Sequence, residues 1–267
     1  MYGIDISNWQ SDLKIKDIAA QIEFAIVKAT EGIGYVDPTC NDFIEQLKAS
    51  NKLWGFYHFA RGNDAKQEAR YFYENTRNYF THGIPVLDYE TSENISPSAW
   101  VESFCKELYK LSGVKPLIYC SASVIKSLAS PWVCENCGLW VAGYPQNYTT
   151  FDNYEMPYNI SPWPFAAIWQ FTSSLQLRGY NGNLDGNIAY MDAKGWAAYA
   201  NATGATDTNN SNNHNSNNNG SSSSITTEQA LQKMAEDVIA GKYGNGNSRI
   251  KAIYEAVQNK VNKILGE

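Results

Sequence analysis

The sequence predicts an α/β fold, an irregular TIM-like barrel followed by a small helical domain. Three observations support this prediction. Short apolar and β-branched runs alternate with segments of helical periodicity through the first 120 residues. Beyond that point the strand-like runs continue, while segments with helical periodicity become short or absent up to residue 191. A stretch rich in Asn and Ser then separates the barrel from a final segment with helical periodicity.

Five strand and helix units come first along the chain. Strands are predicted at 2–7, 24–30, 53–60, 84–90 and 116–120. Helices are predicted between them at 12–21, 40–50, 64–80 and 96–111, where apolar residues recur at helical spacing. Because alternating strands and helices build parallel β/α units, five in succession indicate a barrel.

The last third of the barrel is predicted to have lost its helices. Residues 123–128 allow only a short helix, and strands are expected at 139–144, 165–171 and 188–191. The segment 145–164 is crowded with Pro, Asn and Tyr, which argues against a helix. The predicted fold is therefore (β/α)5 followed by three strands that lack helices.

Composition divides the chain into three predicted parts: a barrel at 1–200, a flexible linker at 201–226 and a helical domain at 227–267. The net charge is −6 and no Lys/Arg block occurs, so we expect no nucleic acid partner. No apolar stretch is long enough to cross a bilayer, and residues 1–5 start as a strand rather than a signal peptide. We expect synthesis in a cytoplasm, with any export depending on another protein.

Five scattered cysteines favour reduced thiols over a disulfide framework. Cys134 and Cys137 form a lone C-x-x-C without a second pair at zinc spacing, so no metal is predicted. A local redox pair and two ordinary buried thiols both remain open.

The stretch I-P-V-L-D-Y-E-T at 84–91 carries the strongest chemical signal. In a strand, Asp88 and Glu90 face the same side, with Cα atoms roughly 6.5–7 Å apart. Two like charges in one space repel each other, which is typical of an active site that handles protons.

Other polar and aromatic residues are predicted at the same ends of the strands, where β/α barrels place their active sites. They are Asp5, Lys28 with Glu31, Tyr57 with His58, Tyr119, Tyr144 and Gln170, with Asp185 just before the last strand. Carboxylates and aromatics without a metal-ligand cluster indicate a glycosidase that needs no cofactor. We interpret Lys28 and Glu31 as an ion pair, and His58 as a satisfied core residue.

Eight motifs support a resemblance to glycoside hydrolase family 25. They are G-I-D-I-S-N-W-Q at 3–10, V-K-A-T-E-G at 27–32, G-F-Y-H-F-A at 55–60, V-L-D-Y-E at 86–90, L-I-Y-C-S at 117–121, L-W-V-A-G-Y at 139–144, I-W-Q-F at 168–171 and L-D-G-N at 184–187. The resemblance implies a barrel of five β/α units followed by three strands. It also implies a muramidase that cuts the bond from N-acetylmuramic acid to N-acetylglucosamine in peptidoglycan.

The resemblance assigns roles position by position. Glu90 matches the general acid, whose pKa we expect the charge of Asp88 to raise. Asp88, Asp5 and Asp185 match the other active-site acids, although Asp185 could instead cap a turn before Gly186. The substrate-lining residues, for whose aromatic members core packing is the alternative, would be Tyr57, Tyr119, Trp140, Tyr144, Trp169 and Gln170.

The C-terminal domain resembles a choline-independent cell-wall-binding repeat of phage lysins. The motifs are D-V-I-A-G-K-Y-G-N-G-N-S-R at 237–249 and Y-E-A-V-Q-N-K-V-N at 254–262. Candidate glycan contacts are Asp237, Tyr243 and Arg249, with helix capping and ion pairing as alternatives for Asp237 and Arg249. Together these features predict a phage endolysin, or a bacterial autolysin, acting on cell-wall peptidoglycan. An oligomer could form through the C-terminal module.

Overall fold

The computed structural model describes residues 1–90 and 96–200. Within these residues, nine strands form one sheet: β1 (Tyr2–Ile6), β2 (Phe24–Glu31), β3 (Tyr35–Val36), β4 (Leu53–Phe59), β5 (Ile84–Asp88), β6 (Leu117–Ser121), β7 (Leu139–Ala142), β8 (Ala166–Leu175) and β9 (Leu184–Ala189). Because β1 pairs with both β2 and β9, eight of the strands close into a barrel. The short strand β3 only extends β2 as an antiparallel hairpin.

Seven strands of the barrel run parallel, and β9 runs antiparallel to both of its neighbours, β8 and β1. The barrel predicted from the sequence is confirmed. One strand was placed incorrectly, because the last strand was expected at 188–191 and β9 begins four residues earlier, at Leu184. A strand with polar residues at alternate positions has a weak apolar signal at its start.

Seven α-helices lie along the described chain: α1 (Ile15–Ile18), α2 (Cys40–Ala49), α3 (Ala65–Thr76), α4 (Pro97–Ser112), α5 (Ile125–Leu128), α6 (Pro131–Asn136) and α7 (Ala193–Ala200). Helix α4 has Pro97 in its first turn and ends at Gly113, whose φ of 73° is the left-handed conformation that glycine adopts readily. Residues 143–165 and 176–183 contain no helix, as predicted. The prediction missed α7 and α6, and in α6 the Ser130 hydroxyl caps the helix by accepting from the N–H of Val133.

The core has two layers because side chains alternate between the faces of each strand. Phe24, Ile84 and Leu117 belong to an apolar cluster inside the barrel. A larger cluster lies between the sheet and the helices. The ring of Trp196 in α7 packs on Phe24 at a centroid distance of 4.7 Å. Since Phe24 begins β2, α7 covers the amino-terminal end of the barrel.

Candidate active site

A polar cavity of about 260 Å³ lies at the opposite end of the barrel, where the parallel strands end. Strand β9 runs the other way, so its second residue, Asp185, lies at the same end, directly opposite Asp5 of β1. The residues lining the cavity are Asp5, Ser7, Trp9, Lys28, Tyr57, Phe59, Asp88, Glu90, Tyr119, Trp140, Tyr144, Gln170 and Asp185. All four carboxylates predicted from the sequence therefore share one cavity.

Asp88 ends the buried strand β5, and its side chain is only 8% exposed. Its Oδ1 atom is buried without a hydrogen-bond partner in the described part of the chain. Burial, followed by the nearby charges of Glu90 and Asp5, raises the pKa of this carboxyl well above its usual range. An unsatisfied buried acceptor is costly, so this oxygen is placed to receive a donor from outside the protein.

Glu90 lies two residues beyond Asp88 and lines the same cavity. Strand β5 ends at Asp88, so Glu90 follows the strand instead of belonging to it, and its side chain is exposed. The two carboxylates thus differ in environment, one buried and one open to solvent. A pair with such different surroundings can divide proton transfer and substrate orientation between them.

Asp5 is held by two amide side chains. Its Oδ2 atom accepts hydrogen bonds from Gln170 Nε2 at 2.8 Å and from Asn187 Nδ2 at 2.7 Å. Burial and the neighbouring charge of Asp185 raise the pKa of Asp5, although the two hydrogen bonds act in the opposite direction. These two amides fix the position of the Asp5 carboxyl.

Asp185 is partly buried, and burial together with the charge of Glu90 raises its pKa to about 6. Its location corrects the sequence interpretation in one respect. Asp185 lies inside β9 and pairs with Asp5, whereas it was expected to precede the strand, with turn capping as the alternative. The antiparallel direction of β9 brings it to the cavity.

Three tyrosines line the cavity as predicted: Tyr57, Tyr119 and Tyr144. The hydroxyls of Tyr119 and Tyr144 donate to Gln170 Oε1 at 2.8 and 2.5 Å. Burial raises the pKa of all three phenols, with a further contribution from the nearby aspartates. They therefore stay protonated, and two of them donate to the amide that itself donates to Asp5.

The two predicted tryptophans have different positions. Trp140 lines the cavity, and its indole Nε1 donates to Asn187 Oδ1 at 2.8 Å. Trp169 does not line it, and this prediction was wrong. Adjacent residues of a strand face opposite sides, so with Gln170 pointing into the barrel Trp169 points outward. There it is fully buried and donates to the carbonyl of Gly143 at 2.9 Å.

Asn187 is the main residue that the prediction missed. It is fully buried and connects Trp140 to Asp5 through its two amide atoms. The sequence does contain a signal, because Asp185 and Asn187 are two residues apart and so share a face of β9. Trp9, Ser7 and Phe59 also line the cavity without having been predicted to do so.

The interpretations of Lys28 with Glu31 as an ion pair and of His58 as a core residue are confirmed. Lys28 forms an ion pair with Glu31 at the cavity rim, while its side chain also lines the cavity. His58 is fully buried; its Nε2 lies 2.8 Å from Glu68 Oε2 and its Nδ1 lies 2.8 Å from Thr30 Oγ1. Burial lowers the pKa of His58. This histidine is a structural residue within the barrel wall.

The described residues contain no group of three or more His, Cys, Asp or Glu side chains arranged to hold a metal ion. All five cysteines are free thiols. Among the described helices, none has the length and apolar character needed to span a bilayer. The predicted wall-binding residues Asp237, Tyr243 and Arg249 lie outside the described residues.

Comparison with known proteins decides the family. The model of glycosyl hydrolases family 25 matches residues 4–180. The chain belongs to this family. It is therefore a glycoside hydrolase, with the peptidoglycan-hydrolysing muramidase activity that its motifs predict. A CW_7 repeat matches residues 232–265, in agreement with the predicted cell-wall-binding repeat.

Individual relatives of this family 25 enzyme extend the comparison. The uncharacterized protein YegX of Escherichia coli K12 is 32% identical over 205 residues, 70% of this chain and 69% of its own length. The lysozyme of Streptococcus phage Cp-7 is 28% identical over 262 residues, 90% of this chain and 62% of its own length. The structure of a bacterial lysozyme from Streptomyces coelicolor has a TM-score of 0.65 at 24% identity. It covers 76% of this chain and 98% of its own and shows the same fold.

Proposed function

We propose that this muramidase acts as a phage endolysin, cleaving the β-1,4 bond between N-acetylmuramic acid and N-acetylglucosamine in the wall of a bacterial host. The phage Cp-7 lysozyme supports the phage role because it aligns with 90% of the chain. The CW_7 repeat supports wall binding. In this proposal the enzyme stays in the host cytoplasm until a membrane pore made by another protein releases it to the wall.

The roles of the acids follow from their environments. Glu90 is exposed at the cavity and serves as the general acid, giving its proton to the glycosidic oxygen as the bond breaks. Asp88 carries the proposal, because its buried, unpartnered Oδ1 can accept the N–H of a 2-acetamido group and fix the sugar beside Glu90. Asp5 and Asp185 provide negative charge for the oxocarbenium-like state.

The direct test is Glu90→Gln, with Glu74→Gln on the exposed surface of α3 as the matched control. Reducing ends released from purified peptidoglycan should fall by about a hundredfold or more in the first variant, the range that general acids contribute. The control should keep full activity. Mass analysis of the digest should show N-acetylmuramic acid at the new reducing ends. If Glu90→Gln kept most of its activity, another residue would be the acid.

Three other functions would give different results in wall digestion and lysis experiments. A bacterial autolysin would digest walls when expressed without a pore-forming protein, whereas an endolysin needs that protein for lysis. A catalytically silent glycan-binding barrel would bind walls without releasing reducing ends. A chitin hydrolase would release sugar from chitin and leave the turbidity of bacterial walls unchanged.

A further inference from the structure

Trp9 is the most exposed large hydrophobic side chain of the described residues, at 84%. It lies on a 3-10 turn (Asn8–Gln10) directly after β1 and lines the active-site cavity with Asp5. Leaving an indole in water forgoes the free energy that its burial would provide. Nothing in the packing of the described barrel requires this side chain to be at the surface.

The backbone below Trp9 is held rigidly. Ser7 Oγ accepts from Trp9 N–H at 3.3 Å, and Gln10 Oε1 accepts from Ser7 N–H at 3.0 Å, forming a capping box. The N–H of Asn8 donates at 3.0 Å to Asp37, a carboxylate that is only 2% exposed. A side chain on a fixed backbone loses little further freedom when a ligand covers it.

The surroundings of Trp9 indicate the kind of ligand that would cover it. The cavity beside it is lined by the carboxylates Asp5, Asp88 and Asp185, which suit the hydroxyl and amide groups of a sugar. The indole offers a flat apolar face, which suits the C–H face of a pyranose ring. A glycan strand that extends out of the cavity would contact the carboxylates first and the apolar indole face next.

We propose that Trp9 is a binding residue that stacks on a pyranose ring of the glycan strand, next to the sugar held in the cavity. This inference rests on the proposed function, because the ligand is the same strand. Since the contact lies away from the bond that is cleaved, Trp9 contributes to substrate binding and leaves the chemical step to the carboxylates.

The test compares Trp9→Ala, Trp9→Tyr and a control, Phe165→Ala, on purified peptidoglycan. Phe165 is 57% exposed and precedes β8, at the amino-terminal end of the barrel away from the cavity. We expect Trp9→Ala to lower kcat/KM about tenfold, corresponding to about 1.4 kcal/mol, almost entirely through KM. Trp9→Tyr should recover most of the loss, and Phe165→Ala should match the unaltered protein.

A binding measurement separates stacking from a structural effect. Tryptophan emission of the Glu90→Gln protein is titrated with a soluble oligomer of N-acetylglucosamine and N-acetylmuramic acid. We expect an emission change that becomes much smaller when Trp9→Phe is added, with the remainder coming from Trp140 in the cavity wall. The stacking role would be overturned if KM were unaltered in Trp9→Ala, or if the emission change kept its full size without Trp9. Either result would count while the unaltered protein still cleaves walls. Failure of the proposed function would instead leave the unaltered protein without released reducing ends.

Discussion

Replacing Asp185 with Asn should stabilise the protein while lowering its activity. Burial and the charge of Glu90 raise the pKa of Asp185 from 3.8 to about 6. At about 1.4 kcal/mol per pKa unit, the ionised carboxylate destabilises the folded state by about 3 kcal/mol. Because the side chain is only partly buried, solvent screening reduces this figure, and we expect Asp185→Asn to gain about 1–3 kcal/mol near neutral pH.

The gain should depend on pH in a defined direction. Below about pH 3.8 the carboxyl is protonated in both the folded and unfolded states, so the substitution changes little. As the pH rises toward 6, the unfolded carboxyl ionises first, which favours unfolding of the unaltered protein. Above about pH 6 the whole penalty is present and the difference between the two proteins is largest.

Thermal unfolding of the full chain at about pH 4, 6 and 8, followed by near-UV circular dichroism, measures this difference. Each kcal/mol should move the Tm by about 2–4 °C for a domain of this size. Glu74→Gln is the control, because that glutamate lies on the exposed surface of α3. A Tm difference for Asp185→Asn that stays constant with pH, or that favours the unaltered protein at pH 8, would refute the reasoning.

Two further predictions concern residues around the carboxylates. Asn187→Leu removes one of the two amide donors to Asp5, so the free energy of unfolding should fall by about 1–3 kcal/mol in urea unfolding. In wall digestion kcat should fall with little change in KM, and an unchanged kcat would contradict the positioning role. Trp169→Phe loses the hydrogen bond to the carbonyl of Gly143, so the free energy of unfolding should fall by about 1–2 kcal/mol. KM in wall digestion should not change, and a raised KM would show that Trp169 contacts the substrate.

The barrel and the shared location of the four acids could be predicted from the sequence, because strand alternation and motif order are local properties of the chain. Asp88 and Glu90 share a cavity as expected, although β5 ends at Asp88 and Glu90 follows it. The error at Trp169 was avoidable, since Trp169 and Gln170 are neighbours in a strand and cannot both point inward. The start of β9 was harder to predict. Its polar residues face a site built from other strands, so hydrophobic periodicity does not mark where it begins.

Other features depend on contacts that no local pattern encodes. The unsatisfied Oδ1 of Asp88 and the amide pair on Asp5 become visible only when strands distant in sequence are assembled. The helix α6 could have been found from Ser130 and Pro131, a capping residue followed by a proline suited to a first turn. The assignments of Asp237, Tyr243 and Arg249 to wall binding stay predictions.

Closure of the barrel by β1 and β9 also determines when, during synthesis and folding, the active site becomes complete. The hydrogen bonds from Gln170 and Asn187 to Asp5 join residues 165 and 182 positions apart in the chain. Contacts over such separations form late in folding, since long segments must be ordered first. During synthesis, Asp5 leaves the ribosome long before the two amides that hold it. A growing chain therefore carries Asp5, Asp88 and Glu90 before β9 brings Asp185 and Asn187 to complete the site.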